Sequence, residues 1–305
     1  MNFDAVLIAG PTASGKSRAA LELAHRIGGV VVNADSMQVY RETRILTARP
    51  TGEDTATAPH MLYGHVHVTD AYSAGRYQTD AGHALKESRA SHRTPIFTGG
   101  TGLYFDILTN GIAEVPLVPT TVRRTTAERR AELGEEAFFA ELAVRDPEIV
   151  KELRPSDSQR VLRAYEVFEA TGQPLSFWQT QPGEPVLGGM RLATFVLDLP
   201  RKELRDRIAA RFDAMVEAGA MEEALNLRDL DPALPAAKII GRRELIAAHD
   251  GRLALQGAKN LAVTATRQYA KRQETWFRNR MASWTRIEAQ DFSNIVPQIR
   301  TKLAE

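Results

Sequence analysis

Cysteine is absent from the 305-residue chain, which removes disulfide bonds, thiolate nucleophiles and sulfur-ligated zinc from consideration. That absence agrees with a reducing compartment, and the cytoplasm is the expected location. Long apolar runs are missing too. None approaches the ~18 residues that a membrane span requires, so no membrane partner is expected. The first apolar run, Ala5 to Ala9, has no basic leader and is consumed by the loop that follows, so it does not read as a signal peptide. Nor does either sign of charge prevail: Lys and Arg number 39 against 38 Asp and Glu, for a formal net charge of +1. Any nucleic-acid surface must therefore be a local patch and not a global field. Internal repeats and low-complexity segments are lacking. What remains, 43% apolar and 25% charged, is ordinary for a soluble globular chain, long enough for one large domain or two smaller ones.

The most informative stretch is Gly10-Pro11-Thr12-Ala13-Ser14-Gly15-Lys16-Ser17. An apolar run suited to a buried parallel strand precedes it. Ala19, Ala20, Leu21, Leu23, Ala24 and Ile27 follow at helical spacing until Gly28-Gly29 stops the helix. Strand, glycine-bounded loop, Lys-Ser and helix together make a phosphate-binding loop. Gly10 and Gly15 let the backbone turn its N–H groups inward, where the helix N-terminus adds partial positive charge. Lys16 can supply a full charge to a phosphate oxygen, and the Ser17 hydroxyl can ligate Mg2+.

Val30 to Ala34 reads as a second strand ending at Asp35-Ser36-Met37-Gln38, on the sheet edge where parallel α/β proteins bind ligands. Asp35 is a metal ligand, a general base or a turn cap. His60, His65 and His67 lack a third ligand at a diagnostic spacing and are read as structural or surface residues. Pro95 to Thr98 is a third strand, broken by Gly99-Gly100-Thr101-Gly102, whose N–H groups and Thr101 hydroxyl can face the same ligand. A strand ending in Thr-Gly-Gly-Thr is not the apolar run ending in Asp that nucleotide hydrolases use. From about Val118 to Met190 strand signals vanish and charges crowd helical repeats, so 118–190 reads as a helical insertion into the α/β core. Leu192 to Leu197 returns to strand composition. In the helix after Pro200, Arg207 and Arg211 lie one turn apart and could fork a diphosphate, unless Arg207 pairs with Glu203. Basic charge then gathers between Lys238 and Arg286, opposed only by Glu244, Asp250 and Glu274 and interleaved with Tyr269, Trp276, Phe277 and Trp284. That texture suits a nucleic-acid backbone or the charged outer face of a core helix.

Taken together, the phosphate loop, Asp35-Ser36-Met37-Gln38-Val39-Tyr40 and Gly99-Gly100-Thr101-Gly102-Leu103-Tyr104 resemble the bacterial tRNA dimethylallyltransferase family. Ser158-Gln159-Arg160, Gly241-Arg242-Arg243-Glu244 and Thr266 to Gln273 are similar to its later motifs, in the same order. The resemblance implies a P-loop NTPase-like parallel sheet core, 1–117 and 191–305, with an inserted helical tRNA-binding domain at 118–190. It implies transfer of a dimethylallyl group from its diphosphate to N6 of the adenosine just 3′ of a tRNA anticodon. By carry-over Asp35 is the general base, and Lys16, Thr101, Arg211 and the loop residues Gly10, Pro11, Thr12, Ala13, Ser14, Gly15, Lys16 and Ser17 serve the diphosphate, with Mg2+ near Ser17. The tRNA anticodon arm would meet Asp35, Ser36, Met37, Gln38, Thr101, Arg123, Gln159, Arg160, Val161, Leu162, Arg163, Arg242, Lys271 and Arg272. A monomer is expected. Three rivals share the loop: a kinase, with Asp198 as its magnesium acid; a free-nucleotide prenyltransferase of the cytokinin type; and a non-catalytic RNA-binding NTPase.

Overall fold

Apolar strands set the frame, and the computed structural model describes it over residues 3–181 and 183–304. β1 (Ala5–Ala9), β2 (Val30–Asn33), β3 (His60–Met61), β4 (Pro95–Gly99), β5 (Leu192–Asp198) and β6 (Thr285–Glu288) form one all-parallel sheet of order β3-β2-β4-β1-β5-β6. In register, Val6 faces Ile96 on one side and Ala193 on the other. Every residue of β1, β2 and β4 is buried, as expected where helices cover both faces of a parallel sheet. The four long apolar strands were legible in the sequence. β3 and β6 were not, since two residues and a Thr-Arg-Ile-Glu run carry little apolar signal.

The helices follow from apolar spacing. α1 (Lys16–Ile27) buries Ala19, Ala20, Leu23 and Ala24 and ends at left-handed Gly28. α2 (Gly52–Thr57) is opened by a capping box between Thr51 and Asp54, and α3 (Ala74–Ala90) is capped by the Ser73 hydroxyl. α4 (Gly102–Thr109) runs straight from the second glycine-rich junction. Histidines 60, 65 and 67 go separate ways: His60 Nδ1 lies 2.8 Å from the Ala58 carbonyl, His65 pairs with Asp80 at 3.2 Å, and His67 meets the Thr69 hydroxyl at 2.7 Å.

Residues 109–185 form a compact unit of their own, apart from 1–108 with 186–305. Within it α5 (Thr120–Arg145) is kinked at Gly134, whose φ of 77° is left-handed, and α6 (Ser158–Thr171) and α7 (Leu175–Gln179) follow. Its core is small, built on Phe138, Leu142, Ile149, Leu153, Val161, Ala164 and Tyr165. Buried Asp146 holds it together, accepting from the Ile149 and Ser176 N–H groups at 3.1 and 3.0 Å. Both limits of the unit precede the 118–190 suggested by texture. The chain is back on the core by Val186 and Leu187, whose N–H groups meet the Ile107 and Leu108 carbonyls at 3.3 and 2.9 Å.

The C-terminal half of the core comprises α8 (Arg201–Glu217), α9 (Ala220–Leu225), α10 (Arg242–His249), α11 (Leu255–Arg280) and α12 (Phe292–Ala304). α8 buries Leu204, Ile208, Phe212 and Met215. α11 buries Ala258, Ala262, Thr266, Ala270, Gln273 and Phe277, an apolar stripe interrupted by one long polar side chain. Among the described residues, no helix is long and apolar enough to cross a membrane.

Candidate active site

The phosphate loop joins β1 to α1 beyond the carboxyl end of the sheet. Two left-handed residues shape it, Ala13 at φ 66° and Gly15 at φ 92°. Alternating hands of this kind turn successive N–H groups toward one side and make an anion nest, and a non-glycine residue held there marks a functional strain. Gly15 also has no room for a side chain, because a Cβ would fall 2.3 Å from the Phe292 ring of α12. Lys16 is only 9% exposed and donates to the Pro11 carbonyl at 3.2 Å. Burial lowers its ammonium to about 8, Arg211 adding to the shift and Asp35 opposing it. Arg211 is itself pushed down by burial, is steadied by Asp35, and donates to the Thr12 hydroxyl. Two cations and one carboxylate thus share a partly buried space, an arrangement that attracts a further anion. The Ser14 hydroxyl is fully buried without a partner among the described residues, and Ser17 is exposed in the first turn of α1.

Opposite stands the turn after β2. Asn33 shapes it, accepting from the Asp35 N–H at 2.8 Å and donating to the Asp35 and Leu62 carbonyls at 2.9 and 3.0 Å. Asp35 fills one of its expected roles, the turn cap, and leaves its second oxygen free of it. Its Oδ1 caps the turn through the Met37 N–H at 3.0 Å, while Oδ2 points at Gly100, 3.3 Å from where a Cβ would sit. Thr101 accepts from the Ser36 N–H at 2.9 Å and hydrogen-bonds the Ser36 hydroxyl at 3.2 Å. Its own N–H is used by the Ala34 carbonyl at 3.2 Å and is not offered to a ligand. Thr101 therefore braces the Asp35 turn. Burial raises the phenols of Tyr63, Tyr104 and Tyr269, and the nearby Asp35 charge adds to each shift, so all three stay protonated donors.

Several expected residues lie elsewhere. Arg207 is committed to Glu203 and to the Gln290 carbonyl and stacks 3.9 Å from the Phe292 ring centre, so Arg211 alone of that pair reaches the loop. Arg242 corrects an expectation. It is 5% exposed and its guanidinium donates to the Leu227, Arg228, Leu230 and Ala237 carbonyls, leaving it nothing to present to RNA. Val161 is corrected likewise, being 1% exposed in the core of the helical unit, and Leu162 packs against that core. Gln38 spends its amide on the Thr47 and Ala48 carbonyls at 2.8 and 3.0 Å. Gln159, Arg160 and Arg123 are exposed on the helical unit, and Arg163 is half-buried, 3.9 Å from Glu166. Lys271 and Arg272 are exposed on α11, beside a groove of about 550 Å³ lined also by Gln268, Trp276 and Arg280. Asp198, the acid that a kinase would need, is exposed and paired to Arg286 at 3.3 Å.

Two residues to which the sequence assigns no role in the site belong to it. Gln273 bridges the two junctions, accepting from the Thr12 N–H at 2.9 Å and donating to the Gly100 carbonyl at 2.8 Å. Tyr269, one turn earlier, hydrogen-bonds the Thr101 and Gln273 side chains. A signal was there: Gln273 continues the buried stripe Ala262, Thr266, Ala270, where a polar residue needs partners.

A cationic phosphate loop set against a carboxylate turn, beyond the carboxyl end of a parallel sheet, defines a protein of the P-loop type. Comparison with known proteins narrows the class. The family model described as IPP transferase matches residues 38–280, and that described as Isopentenyl transferase matches residues 3–64. The chain belongs to the IPP transferase family. It is 46% identical over 290 residues to the tRNA dimethylallyltransferase of Allorhizobium ampelinum, covering 94% of this chain and 95% of that one. To the same-named protein of Nitrobacter hamburgensis it is 49% identical over 289 residues, covering 93% and 91%. Among solved structures, the full-length tRNA isopentenylpyrophosphate transferase of Bacillus halodurans superimposes with a TM-score of 0.69 at 31% identity, covering 99% and 95%. A eukaryotic dimethylallyltransferase acting on tRNA gives a TM-score of 0.81 at 26% identity, covering 97% of this chain and 77% of that one.

Proposed function

We propose that the chain transfers the dimethylallyl group of dimethylallyl diphosphate to N6 of the adenosine 3′-adjacent to the anticodon of tRNA, releasing diphosphate. The observation that carries this reading is that the turn bearing Asp35 is tied to the loop of Lys16 and Arg211: Asp35 Oδ2 abuts Gly100, whose carbonyl accepts from Gln273, and Gln273 accepts from the N–H of Thr12, whose hydroxyl takes Arg211. The adenine N6 lone pair attacks C1 of the allyl group as the C1–O bond breaks and its electrons pass to the diphosphate. Lys16, Arg211 and the loop N–H groups stabilise the charge that develops there. Adenine N6 is a poor nucleophile, its lone pair delocalised into the ring. The Asp35 carboxylate orients it and takes its proton as the C–N bond forms. Thr101 and Asn33 hold the turn that aims Asp35. To reach a buried carbon the base must leave its stack, so flipping into the site is part of the reaction.

Mg2+ suits the hard oxygen donors here, the Ser17 hydroxyl in the first turn of α1 together with diphosphate oxygens, and supplies positive charge to the leaving group when bound. The exposed cations Arg123, Arg160, Lys271 and Arg272 serve the tRNA backbone. The enzyme acts as a monomer in the cytoplasm. Incubation with labelled dimethylallyl diphosphate and either bulk tRNA or AMP tests the proposal. Label in tRNA supports it. Label in AMP makes the enzyme a free-nucleotide prenyltransferase, and label in neither overturns both.

A further inference from the structure

We infer that Gln273 is a positioning residue for the transfer, a strut that sets the separation between the loop holding the leaving group and the turn carrying the base. The inference rests on the functional reading above. Its side chain, 4% exposed, spans the two strand–helix junctions and bonds backbone on each. Chemistry fixes which end points where: the Thr12 N–H can only donate and the Gly100 carbonyl can only accept, so a neutral amide satisfies both. The bonds continue outward from each anchor. The Thr12 hydroxyl accepts from Arg211 on the leaving-group side. Gly100 leads into Thr101, whose hydroxyl accepts from the N–H of Ser36, next to Asp35. Gly100 has no side chain where the strut and the base converge: a Cβ there would stand 2.1 Å from Gln273 Nε2 and 3.3 Å from Asp35 Oδ2. One turn along α11, Trp276 presses on Gly102, 2.1 Å from a Cβ position, so the helix is seated on this junction at two glycines.

The strut fixes two groups that must converge on one carbon. A misplacement of about 1 Å between reacting groups can cost about 10²-fold in rate. The test uses the full chain with Gln273→Met, close in volume but unable to bridge, and Gln273→Glu. Gln273→Met is expected to lower kcat about 10²-fold while inorganic pyrophosphate and tRNA bind within about threefold of wild type. Gln273→Glu gives the sharper readout. Protonated, the introduced carboxyl donates to the Gly100 carbonyl and accepts from the Thr12 N–H, restoring both bonds; ionised, it sets a negative charge against that carbonyl and against Asp35. Lys16, Arg211, Tyr269 and Arg272 are the other titratable or charged groups around it, and the wild-type profile carries their contribution. The activity of Gln273→Glu relative to wild type should therefore climb at least about tenfold from pH 8.5 to 6. A flat ratio, or a Gln273→Met kcat within about threefold of wild type, overturns the strut. Should Gln273→Met melt out, the pH ratio of Gln273→Glu decides. An active wild type indifferent to Gln273 overturns this inference alone; a wild type that prenylates no tRNA overturns the functional reading.

Discussion

The two strand–glycine–helix junctions look alike in sequence and are built for different work. At the first, glycine provides a left-handed turn, and the cations Lys16 and Arg211 converge on the loop. At the second no glycine is left-handed: Gly99, Gly100 and Gly102 are small because the Ala34 backbone, Gln273 and Trp276 press on them. That junction brings no cation of its own and gives its Thr101 hydroxyl to the Asp35 turn. In the proposed reaction one side serves the anion that leaves, the other the neutral amine that arrives. The same residue type serves conformational freedom in one place and close approach in the other.

The most damaging way to break this division is to remove the proposed base. Asp35→Ala should lower turnover about 10²–10⁴-fold while pyrophosphate affinity survives, because the anion side is intact. Single-turnover kinetics beside pyrophosphate titration check it, and near-normal turnover would take Asp35 out of the mechanism.

Lys16 tests the other side and predicts opposite effects on binding and stability. Lys16→Met should cost on the order of 10²-fold in handling of the diphosphate, as for loss of a preorganised leaving-group contact. The folded ammonium titrates near 8, below the usual lysine value of 10.5, so between those values the unfolded chain holds a proton that the folded chain does not. Stability of the free protein therefore rises with pH across that window, and at pH 7 the buried charge is a cost. Replacing it should raise the melting temperature at pH 7, by up to roughly 3 kcal/mol in stability. In wild type, pyrophosphate affinity should fall as pH passes about 8, and the variant should lack that inflection. A melting temperature lowered by Lys16→Met would refute the account of a strained, anion-seeking lysine.

Thr101 sharpens the comparison, since the resemblance gives it to both the diphosphate and the tRNA, and its hydrogen bonds run to Ser36 beside Asp35. Thr101→Ala should lower kcat about tenfold with pyrophosphate affinity unchanged, and Thr101→Ser should recover most of the loss. Weakened pyrophosphate binding with normal kcat would move Thr101 back to the leaving group.

How far the sequence could be read follows from the kind of signal. Buried parallel strands and a glycine-bounded loop leave dense local patterns, so β1, β2, β4, β5 and the phosphate loop were legible. Partnerships between distant residues leave none: the same Arg-rich texture holds Arg242 turned inward to backbone carbonyls and Arg272 outward on α11. Arg207 and Arg211 are likewise equivalent by spacing, and only packing against Phe292 separates them. Gln273 was visible as a polar break in a buried stripe, but what it touches lies 173 and 261 residues away in the chain.

The smallest effect comes from outside both junctions, where charge should matter to the RNA and to neither half of the site. If Arg160, Arg163, Lys271 and Arg272 meet phosphates, tRNA affinity should fall steeply with added salt, because each neutralised phosphate releases a condensed counterion. Replacing any one by Ala should weaken binding and flatten the slope of log affinity against log salt by less than about one unit. Pyrophosphate affinity and the pH inflection assigned to Lys16 should not move. Arg242→Ala is the contrasting control. It takes the guanidinium away from four backbone carbonyls, of which Leu227's keeps the Leu230 N–H, and should cost on the order of 1–3 kcal/mol in stability, leaving the salt slope of the protein that still folds unchanged. Titrations of tRNA at several salt concentrations, beside thermal melts, separate the two outcomes. Unchanged slopes in all four surface variants would leave both junctions as described and show that the RNA is gripped by other residues.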